Sequence, residues 1–497
     1  MKKFPARACI VLSFLIFSIF VVDRKTLFAE DSYADWVRSE IGGFQEFKDK
    51  RDKEFVNFLK KEWQEFQVER GLVRDSSPKP VDRPVARKSP SDEPVVPPQD
   101  AKKIIKDIPL PMEYKTKKPD LKNLPALRKA QASETLNVNF FGTSVSVKYD
   151  REMRVQAISD VSKTGISSFW EDLSRSKYEE FLSQLHAIRN EIVLNDWGFL
   201  LLAQKIGRQL FPEDENTSVL FVWFLMAKSG YDTRIGYNET RLYLLLSSEN
   251  VMYETPNFML DGTRFYATSL YGKTEKAGSI YTYKGDYPGA DKKLNFTVKQ
   301  FPKISSATKA RELRFQYAGQ DFLVSAEYNR ALIEFLDSYP QTDLEVYFNS
   351  SISPEASYSL VRGLKPVIEG KSEVDAVNTI LRFVQTAFEY QTDGEQFGKE
   401  KYFFREETLF YPFSDCEDRS ILFAYLVKEL IGLDVVVLDF PGHIATAVRF
   451  NEKVLGDSVF FDGAEYLICD PTYINANVGM KMKKFENMTP RVTEIKL

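Results

Sequence analysis

The chain has 497 residues, more than one hydrophobic core usually supports, so two or more domains with non-globular segments between them are expected. Hydrophobic residues make up 43% of the sequence and aromatic residues 14%, which is ample for packed cores. The formal net charge of −4 argues against a general binder of polyanions, so nucleic acid is not an expected partner.

The first 29 residues have the composition of an export signal. Met1-Lys2-Lys3 is followed by a nearly continuous apolar run from Ala8 to Val22, and the small residue Ala29 offers a cleavage point. The run is short for a membrane-spanning helix of roughly 20 residues. We predict a secretory signal peptide or an uncleaved N-terminal anchor over residues 1–29, and an exported protein of the periplasm or cell envelope.

Aromatic residues then recur in pairs 11 residues apart, from Tyr33 to Phe66, with charged and polar residues between them. An 11-residue repeat corresponds to about 3.67 residues per helical turn, so these side chains form one stripe on a helix. We predict an amphipathic helix over residues 30–75. Such a helix either self-associates as a coiled coil, binds another partner, or folds back on its own domain.

Residues 76–134 are predicted to form a linker. Between Ser76 and Gln99, prolines recur among charged and small residues, a composition that cannot bury enough apolar surface to order itself. The segment from Lys102 to Glu134 stays polar and contains further prolines, so the linker extends to residue 134.

The rest of the chain contains an internal duplication. Asp214 to Asp232 aligns without gaps to Cys416 to Asp434 at an offset of 202, and six positions are identical. Further on, Asp261-Gly262 matches Asp462-Gly463 at an offset of 201, each pair ahead of an apolar run. The same pattern appears twice in the same order, so we predict two copies of one structural unit.

Each copy is predicted to be an α+β domain, the first over residues 135–300 and the second over residues 310–497. The pattern in each is a hairpin, several helices, one strongly apolar helix, and then several strands. For the second copy we predict helices over Val374–Tyr390 and Glu417–Ile431, and strands over Val435–Asp439, Ile444–Phe450, Ser458–Phe461 and Tyr466–Cys469.

Three residues of the second copy form a candidate catalytic set. Cys416 directly precedes a long helix, whose N-terminus stabilises a thiolate. A nucleophilic thiol also needs a base and a group that orients the base. His443 opens a strand and Asp470 ends a later strand, which predicts this order of nucleophile, base and orienter. His186, the other histidine, lies in a helical stretch of the first copy and is interpreted as structural.

These residues resemble the transglutaminase-like superfamily, whose members share a papain-like core. The resemblance rests on Phe413 to Ser420, on Pro441-Gly442-His443, and on Cys469-Asp470-Pro471-Thr472; it covers Asp375 to Tyr473, about a fifth of the chain. The Asp-Cys-Glu-Asp sequence around Cys416 is most similar to the bacterial transglutaminase-like cysteine proteinases. The resemblance implies tandem transglutaminase-like domains and a cysteine peptidase or a protein-glutamine acyltransferase acting on a protein or peptide substrate.

The carboxylates around Cys416 have two interpretations. Asp415, Glu417 and Asp418 would raise the pKa of the thiol by like-charge repulsion, and a bound cation would remove the conflict. Such residues could supply oxygen ligands to calcium, and the resembling proteinases include calcium-dependent members. Alternatively, Asp415 caps the helix, the acids favour its positive end, and one of them pairs with Arg419. The predicted chemistry itself requires no cofactor.

In the first copy the corresponding chemical positions have changed. Asp214, Arg241 and Ser269 stand where the second copy has cysteine, histidine and aspartate. We therefore predict a degenerate, pseudo-enzymatic first domain kept for packing or binding. This favours a second hypothesis for the whole chain, a non-catalytic envelope binding or scaffold protein. Cys469 is expected to be a buried thiol, with a disulfide to Cys416 as the alternative.

Overall fold

The computed structural model describes residues 49–61, 63–73, 79, 83–86, 105, 108–111, 133–271, 278–304 and 307–496. The chain divides into two compact units, Met1–Glu54 and Phe55–Leu497. The described residues of the first unit, 49–54, are helical. Within the described ranges, no helix has the length and apolar character needed to cross a membrane. The predicted signal or anchor, residues 1–29, lies outside the described residues.

The second unit opens with helical residues 55–59 (α1) and then strand β1 (Gln64–Gln67), which pairs antiparallel with strand β8 (Ser279–Thr282). Phe55 is buried and packs against Trp170 at a ring-centroid distance of 4.7 Å. The prediction of one helix over residues 30–75 is therefore wrong at β1, because pairing with a sheet edge outweighs the helical periodicity. From Phe55 onward, the described part of this segment packs against the first copy. Self-association stays a prediction.

The first copy, residues 133–304, contains a hairpin, a layer of helices and an antiparallel sheet. Its elements are β2 (Ser133–Phe140), β3 (Thr143–Asp150), α2 (Lys163–Arg175), α3 (Tyr178–Ile192), α4 (Asp196–Leu210), α5 (Glu215–Lys228), β4 (Thr233–Tyr237), β5 (Leu242–Ser247), β6 (Asn257–Leu260), β7 (Thr263–Thr268) and β8. The strand order in its sheet is β1-β8-β4-β5-β7-β6.

The second copy, residues 307–496, repeats this arrangement. Its elements are β9 (Thr308–Tyr317), β10 (Gln320–Asn329), α6 (Arg330–Leu336), α7 (Leu344–Phe348), α8 (Pro354–Ile368), α9 (Glu373–Thr386), β11 (Glu389–Tyr390), α10 (Asp393–Gln396), α11 (Arg405–Phe410), β12 (Phe413–Ser414), α12 (Cys416–Ile431), β13 (Val435–Phe440), β14 (His443–Val448), β15 (Ser458–Phe461), β16 (Ala464–Cys469) and β17 (Arg491–Glu494). The strand order is β15-β16-β14-β13-β17, so the predicted α+β class is confirmed.

Strand register relates the two copies residue by residue. Thr233 lies opposite Leu246 in the first sheet, and Val435 lies opposite Val448 in the second, at the offset of 202 found in the sequence. The pairings of β5 with β7 and of β14 with β16 also correspond, with β5 and β14 at the offset of 202 and β7 and β16 at the offset of 201. The turns after β6 and β15 both place an aspartate and then a glycine at positive φ, as tight hairpin turns require. The two copies therefore share one structural plan.

The copies differ in the connection that precedes the central apolar helix. In the first copy, residues 211–214 join α4 to α5, whereas in the second copy residues 387–415 join α9 to α12. This longer connection, the insertion, contains α10 and α11 and ends at the start of α12. Helix α12 packs between α9 and β14 and is buried over most of its length, which fixes its N-terminus against the sheet.

Parts of the predicted linker over residues 76–134 are packed against the folded unit. Ala86, Ile105 and Ile108 are buried. The backbone of Ala86 donates a hydrogen bond to Ile474 O at 2.8 Å, and Gly370 donates to Ile105 O at 2.7 Å. The prediction of an unpacked linker is therefore wrong for its described residues. Composition predicted that this segment has no core of its own, but docking on an existing surface needs only a few buried side chains.

Candidate functional site

The candidate nucleophile lies at the first position of α12. Cys416 is fully buried, and its thiol donates a hydrogen bond to Glu417 Oε2 at 3.0 Å. Burial raises the pKa of the Cys416 thiol well above its ordinary value, and the charges of Glu417 and Asp415 raise this pKa further. The positive end of the helix favours a thiolate by about 1 kcal/mol, which is too little to outweigh these effects. The structure therefore holds a protonated thiol.

The candidate base and orienter are hydrogen-bonded to each other. His443 is the first residue of β14, and Asp470 directly follows the neighbouring strand β16. His443 Nε2 lies 2.8 Å from Asp470 Oδ2, and both side chains are buried. Because an ionised carboxylate only accepts hydrogen bonds, Nε2–H donates to it and Nδ1 keeps its lone pair. Asp470 Oδ1 accepts from the backbone N–H of Thr472 at 2.9 Å and of Tyr473 at 3.1 Å.

The second imidazole nitrogen is the one available to a thiol. His443 Nδ1 is buried and has no hydrogen-bond partner among the described residues. One helical turn after Cys416, Ser420 Oγ donates to Ile444 O at 3.2 Å, and Ile444 directly follows His443. Cys416 and His443 therefore lie at the same end of the contact between α12 and β14. No hydrogen bond between thiol and imidazole is present among the described residues, and the Cys416 thiol donates to Glu417 Oε2 instead.

A lysine from the Pro-rich segment reaches the two residues on either side of Cys416. Lys79 Nζ lies 2.6 Å from Asp415 Oδ2 and 2.8 Å from Glu417 Oε1. Only 11% of the Lys79 side chain is exposed. The ammonium group is therefore a nearly buried neighbour of the candidate nucleophile.

The insertion completes the surroundings of this ammonium. Glu400 Oε1 lies 2.5 Å from Lys79 Nζ, and Asp393 Oδ2 lies 3.5 Å from it. Since the first copy has only residues 211–214 in place of the insertion, it has no counterpart of these two carboxylates. We call the four-carboxylate site the ammonium pocket; it consists of Asp393, Glu400, Asp415 and Glu417.

The carboxylates of this region differ in their protonation. Burial would raise the pKa of Glu417, but Lys79 and hydrogen bonds from Asp415 and Cys416 bring this pKa down to about 2. Burial and the charge of Glu417 raise the pKa of Asp415 well above its ordinary value, and burial with the charge of Asp418 raises the pKa of Asp393 to about 8. Glu417 is therefore the anion that Lys79 neutralises, and Asp393 holds a proton at neutral pH.

Among the residues that the structure describes, two groups of side chains have ligand atoms close enough for a metal ion, with the atoms of each group within 4.8 Å of one another. One group is Asp393, Asp415 and Asp418, and the other is Asp415, Cys416 and Glu417. The predicted calcium set of Asp415, Glu417 and Asp418 is thus divided between two groups. Carboxylate oxygens suit calcium, which takes 6–8 oxygen ligands in all from carboxylates, carbonyls and waters. Lys79 already contacts Asp415 and Asp393, so its ammonium and a calcium ion would compete for these oxygens.

Arg419 does not pair with an acidic side chain within the described residues, in contrast to the alternative considered from the sequence. It is fully buried and donates to the backbone carbonyls of Gln385 at 3.0 Å and Phe388 at 2.8 Å. The side chain of Gln385 in turn donates to Asp470 O at 3.1 Å. Arg419 therefore connects α12 to the end of α9 and, through Gln385, to the backbone of the orienting aspartate.

Asp415 is the N-cap residue of α12, as one interpretation of the sequence expected, but its side chain makes no capping hydrogen bond. Asp415 directs its carboxylate to Lys79, whereas Asp418 Oδ2 accepts from the backbone N–H of Asp415 at 3.2 Å. Asp418 Oδ1 also accepts from the backbone N–H of Phe403 at 2.9 Å, which ties the insertion to the helix start. The capping hydrogen bond is therefore accepted by Asp418 from within the helix, and the Asp415 carboxylate binds Lys79 instead.

In the first copy the equivalent positions have structural contacts. Asp214 caps α5 and accepts from the backbone N–H of Thr217 at 2.9 Å, and Ser269 donates to the backbone carbonyl of Tyr271 at 2.8 Å. Arg241 immediately precedes β5. His186 stacks on Phe199 at a centroid distance of 5.1 Å, and burial lowers the pKa of its imidazole, which fits the structural role predicted for it.

Cys416 and Cys469 are both free, buried thiols. No protein-family model, curated protein or solved structure matches this chain. The geometry of the site therefore carries the functional argument.

Sequence reasoning missed Lys79, Asp393, Glu400 and Gln385 as neighbours of the site. Lys79 has one local signal, because it lies between two prolines in the sequence, and proline favours extended backbone in the residue before it. The two insertion carboxylates could have been found by comparing the copies, since only the second copy has residues 387–415 before its apolar helix. Gln385 has no such signal, because its contacts are to backbone groups distant in sequence.

Proposed function

We propose that the second copy is a transglutaminase-like thiol enzyme that acts on amide bonds of a protein or peptide. The single observation that carries the proposal is the His443 imidazole, whose Nε2 is held by Asp470 while its buried Nδ1 has no partner among the described residues. A structural histidine is expected to satisfy both ring nitrogens. A histidine kept with one free lone pair beside a thiol suits a general base.

The proposed reaction uses these groups in order. His443 Nδ1 takes the proton of the Cys416 thiol, and the sulfur attacks the amide carbonyl carbon and forms a C–S bond. The imidazolium returns the proton to the leaving amine as the C–N bond breaks, and a thioester remains. Asp470 holds the tautomer that keeps Nδ1 free and stabilises the imidazolium while it exists. Attack by water on the thioester makes the enzyme a peptidase, and attack by an amine makes it an acyltransferase.

Peptidase activity is the favoured outcome, because the Asp-Cys-Glu-Asp sequence resembles the bacterial transglutaminase-like cysteine proteinases. For the whole chain, we propose export to the periplasm or cell envelope, as the first 29 residues predict. The tandem arrangement would then consist of a degenerate transglutaminase-like copy beside one with an intact Cys-His-Asp set.

The test is site-specific labelling of Cys416 by iodoacetamide at neutral pH, followed by peptide mass spectrometry. If His443 is the base, His443→Ala slows the labelling of Cys416 by about 10²-fold or more, within the usual range for general base catalysis. Arg449→Ala is the matched control, because this exposed residue lies just beyond the same strand. Equal labelling of Cys416 in native protein and in His443→Ala would refute the enzyme proposal.

The second candidate is a non-catalytic envelope binding or scaffold protein. One observation favours this candidate: the thiol of Cys416 is fully buried and donates its hydrogen bond to Glu417 rather than to the imidazole. Under this alternative, labelling of Cys416 is slow and independent of His443 whether or not the thiol is uncovered.

A further inference from the structure

We propose that the ammonium pocket is a binding site for a primary ammonium group, that Lys79 fills it within the same chain, and that the Lys79 side chain thereby limits access to Cys416. The proposal concerns the same site and takes from the proposed function only that Cys416 is the reacting group. It adds a built-in control of access, and it assigns the pocket a class of ligand.

The first support is the depth and number of the contacts. Lys79 Nζ has four carboxylates within 3.5 Å, three of them closer than 3 Å. Surface lysines commonly have one such partner, and such pairs order little of the chain. A side chain that is 11% exposed and surrounded in this way is a ligand in a formed site.

The second support is that the pocket needs a cation. Asp415 is fully buried, and its Oδ1 has no hydrogen-bond partner among the described residues, while its Oδ2 depends on Lys79. The neighbouring Glu417 is buried as well. Without the ammonium group, the buried Glu417 carboxylate would have no compensating charge, which is strongly unfavourable.

The third support is the path of the segment. Lys79 lies against the residues that flank Cys416, and further along the backbone of Pro84 and Ala86 pairs with Ile474, four residues after Asp470. The two hydrogen bonds of this pairing are 2.8 and 2.9 Å long. The described residues of the segment are therefore fixed beside the cysteine at one end and beyond the aspartate at the other. A substrate chain that approaches Cys416 from the side of Asp415 and Glu417 has to displace the Lys79 side chain.

The experiment compares the rate of iodoacetamide labelling of Cys416 in the full chain and in Lys79→Ala, with EDTA present. Uncovering predicts labelling about 10- to 100-fold faster in the variant, from the loss of a buried ion-pair network. Loss of a positive charge alone has the opposite sign, because it disfavours the thiolate. Slower or unchanged labelling in Lys79→Ala would overturn the proposal. Lys428→Ala, which removes an exposed ion pair on the same helix, is the matched control.

Chemical rescue tests the ligand class. In Lys79→Ala, millimolar n-butylamine should occupy the pocket and slow the labelling of Cys416 toward the native rate, whereas n-butanol should not. Rescue by both compounds, or by neither, would overturn the assignment of an ammonium site.

Cys469 gives an internal control for unfolding, because it is equally buried and should stay unlabelled in the variant. If Lys79→Ala does not fold, Glu400→Gln carries the same expectation at a smaller factor, since Glu400 is the most exposed of the four carboxylates. Faster labelling in Lys79→Ala without any dependence on His443 would refute the proposed enzyme but leave this inference standing. Labelling that depends on His443 but is no faster in Lys79→Ala would refute only the inference.

Discussion

Replacing Asp470 by asparagine should separate the chemistry of the site from its architecture. The asparagine Oδ1 can still accept from the backbone N–H groups of Thr472 and Tyr473, so the turn is retained. Its amide NH₂ would face His443 Nε2, which must then accept, and the ring proton moves to Nδ1. The nitrogen that should receive the thiol proton is thereby blocked.

The expected loss of rate is large, whereas the loss of stability is small. A charge-assisted hydrogen bond is worth about 1.5–3 kcal/mol, and in a serine-enzyme triad the analogous substitution, which imposes the wrong tautomer, lowers the rate about 10⁴-fold. We therefore expect a decrease of about 10³- to 10⁴-fold in the acylation of Cys416. The free energy of unfolding should fall by about 1 kcal/mol, because only one hydrogen bond is weakened.

The assay is release of p-nitrophenolate from p-nitrophenyl acetate, with acetyl-Cys416 identified by mass spectrometry. Asp434→Asn serves as the control, because Asp434 is a half-exposed residue in surface ion pairs. Acylation by Asp470→Asn within about threefold of the native rate would refute the assignment of His443 Nδ1 as the base. Asp470→Ala should in addition lose stability, since both backbone donors lose their acceptor.

Two further predictions concern stability. Arg419→Met should lower the free energy of unfolding by about 3 kcal/mol or more in urea titrations. The buried carbonyl of Phe388 loses this donor, and the carbonyl of Gln385 keeps only the long hydrogen bond from Arg83 at 3.5 Å; a loss below about 1 kcal/mol would contradict this. Burial raises the pKa of Glu406 from 4.5 to about 7, so folding favours its protonated form. Its contribution to stability is therefore full below pH 4.5 and is lost as pH rises through 7. The free energy of unfolding should fall by about 3 kcal/mol over this range. Glu406→Gln should remove that part of the pH dependence, and identical pH profiles for the two proteins would count against it.

The fold of the second copy was largely predictable because its strands and central helix have strong periodicity and clear ends. Helix α12 ends at Gly432, which adopts the left-handed conformation that stops helices, and the predicted strand over Ser458–Phe461 has the observed bounds. The segment around Phe66 was mispredicted for the opposite reason. Its aromatic spacing fits a helix, but its backbone completes the edge of a sheet formed by residues over 200 positions away.

The candidate site likewise combines features that local sequence predicts with features that depend on distant residues. The order of Cys416, His443 and Asp470 relative to helix and strands is local information, and the sequence contains it. The roles of the acids near Cys416 depend on contacts with residues that are distant in sequence, which no local pattern predicts. Lys79 reaches Asp415 across 336 residues of sequence, and Asp393 rather than Glu417 joins Asp415 and Asp418.

The sequence by itself determined the α+β class, the internal duplication and the placement of the Cys-His-Asp set, because periodicity, turn residues and a repeated pattern act over short distances. Only the tertiary structure decided the state of Cys416. Burial, the neighbouring carboxylates and Lys79 together fix the charge and access of the thiol, and each depends on which distant segments pack around the start of α12.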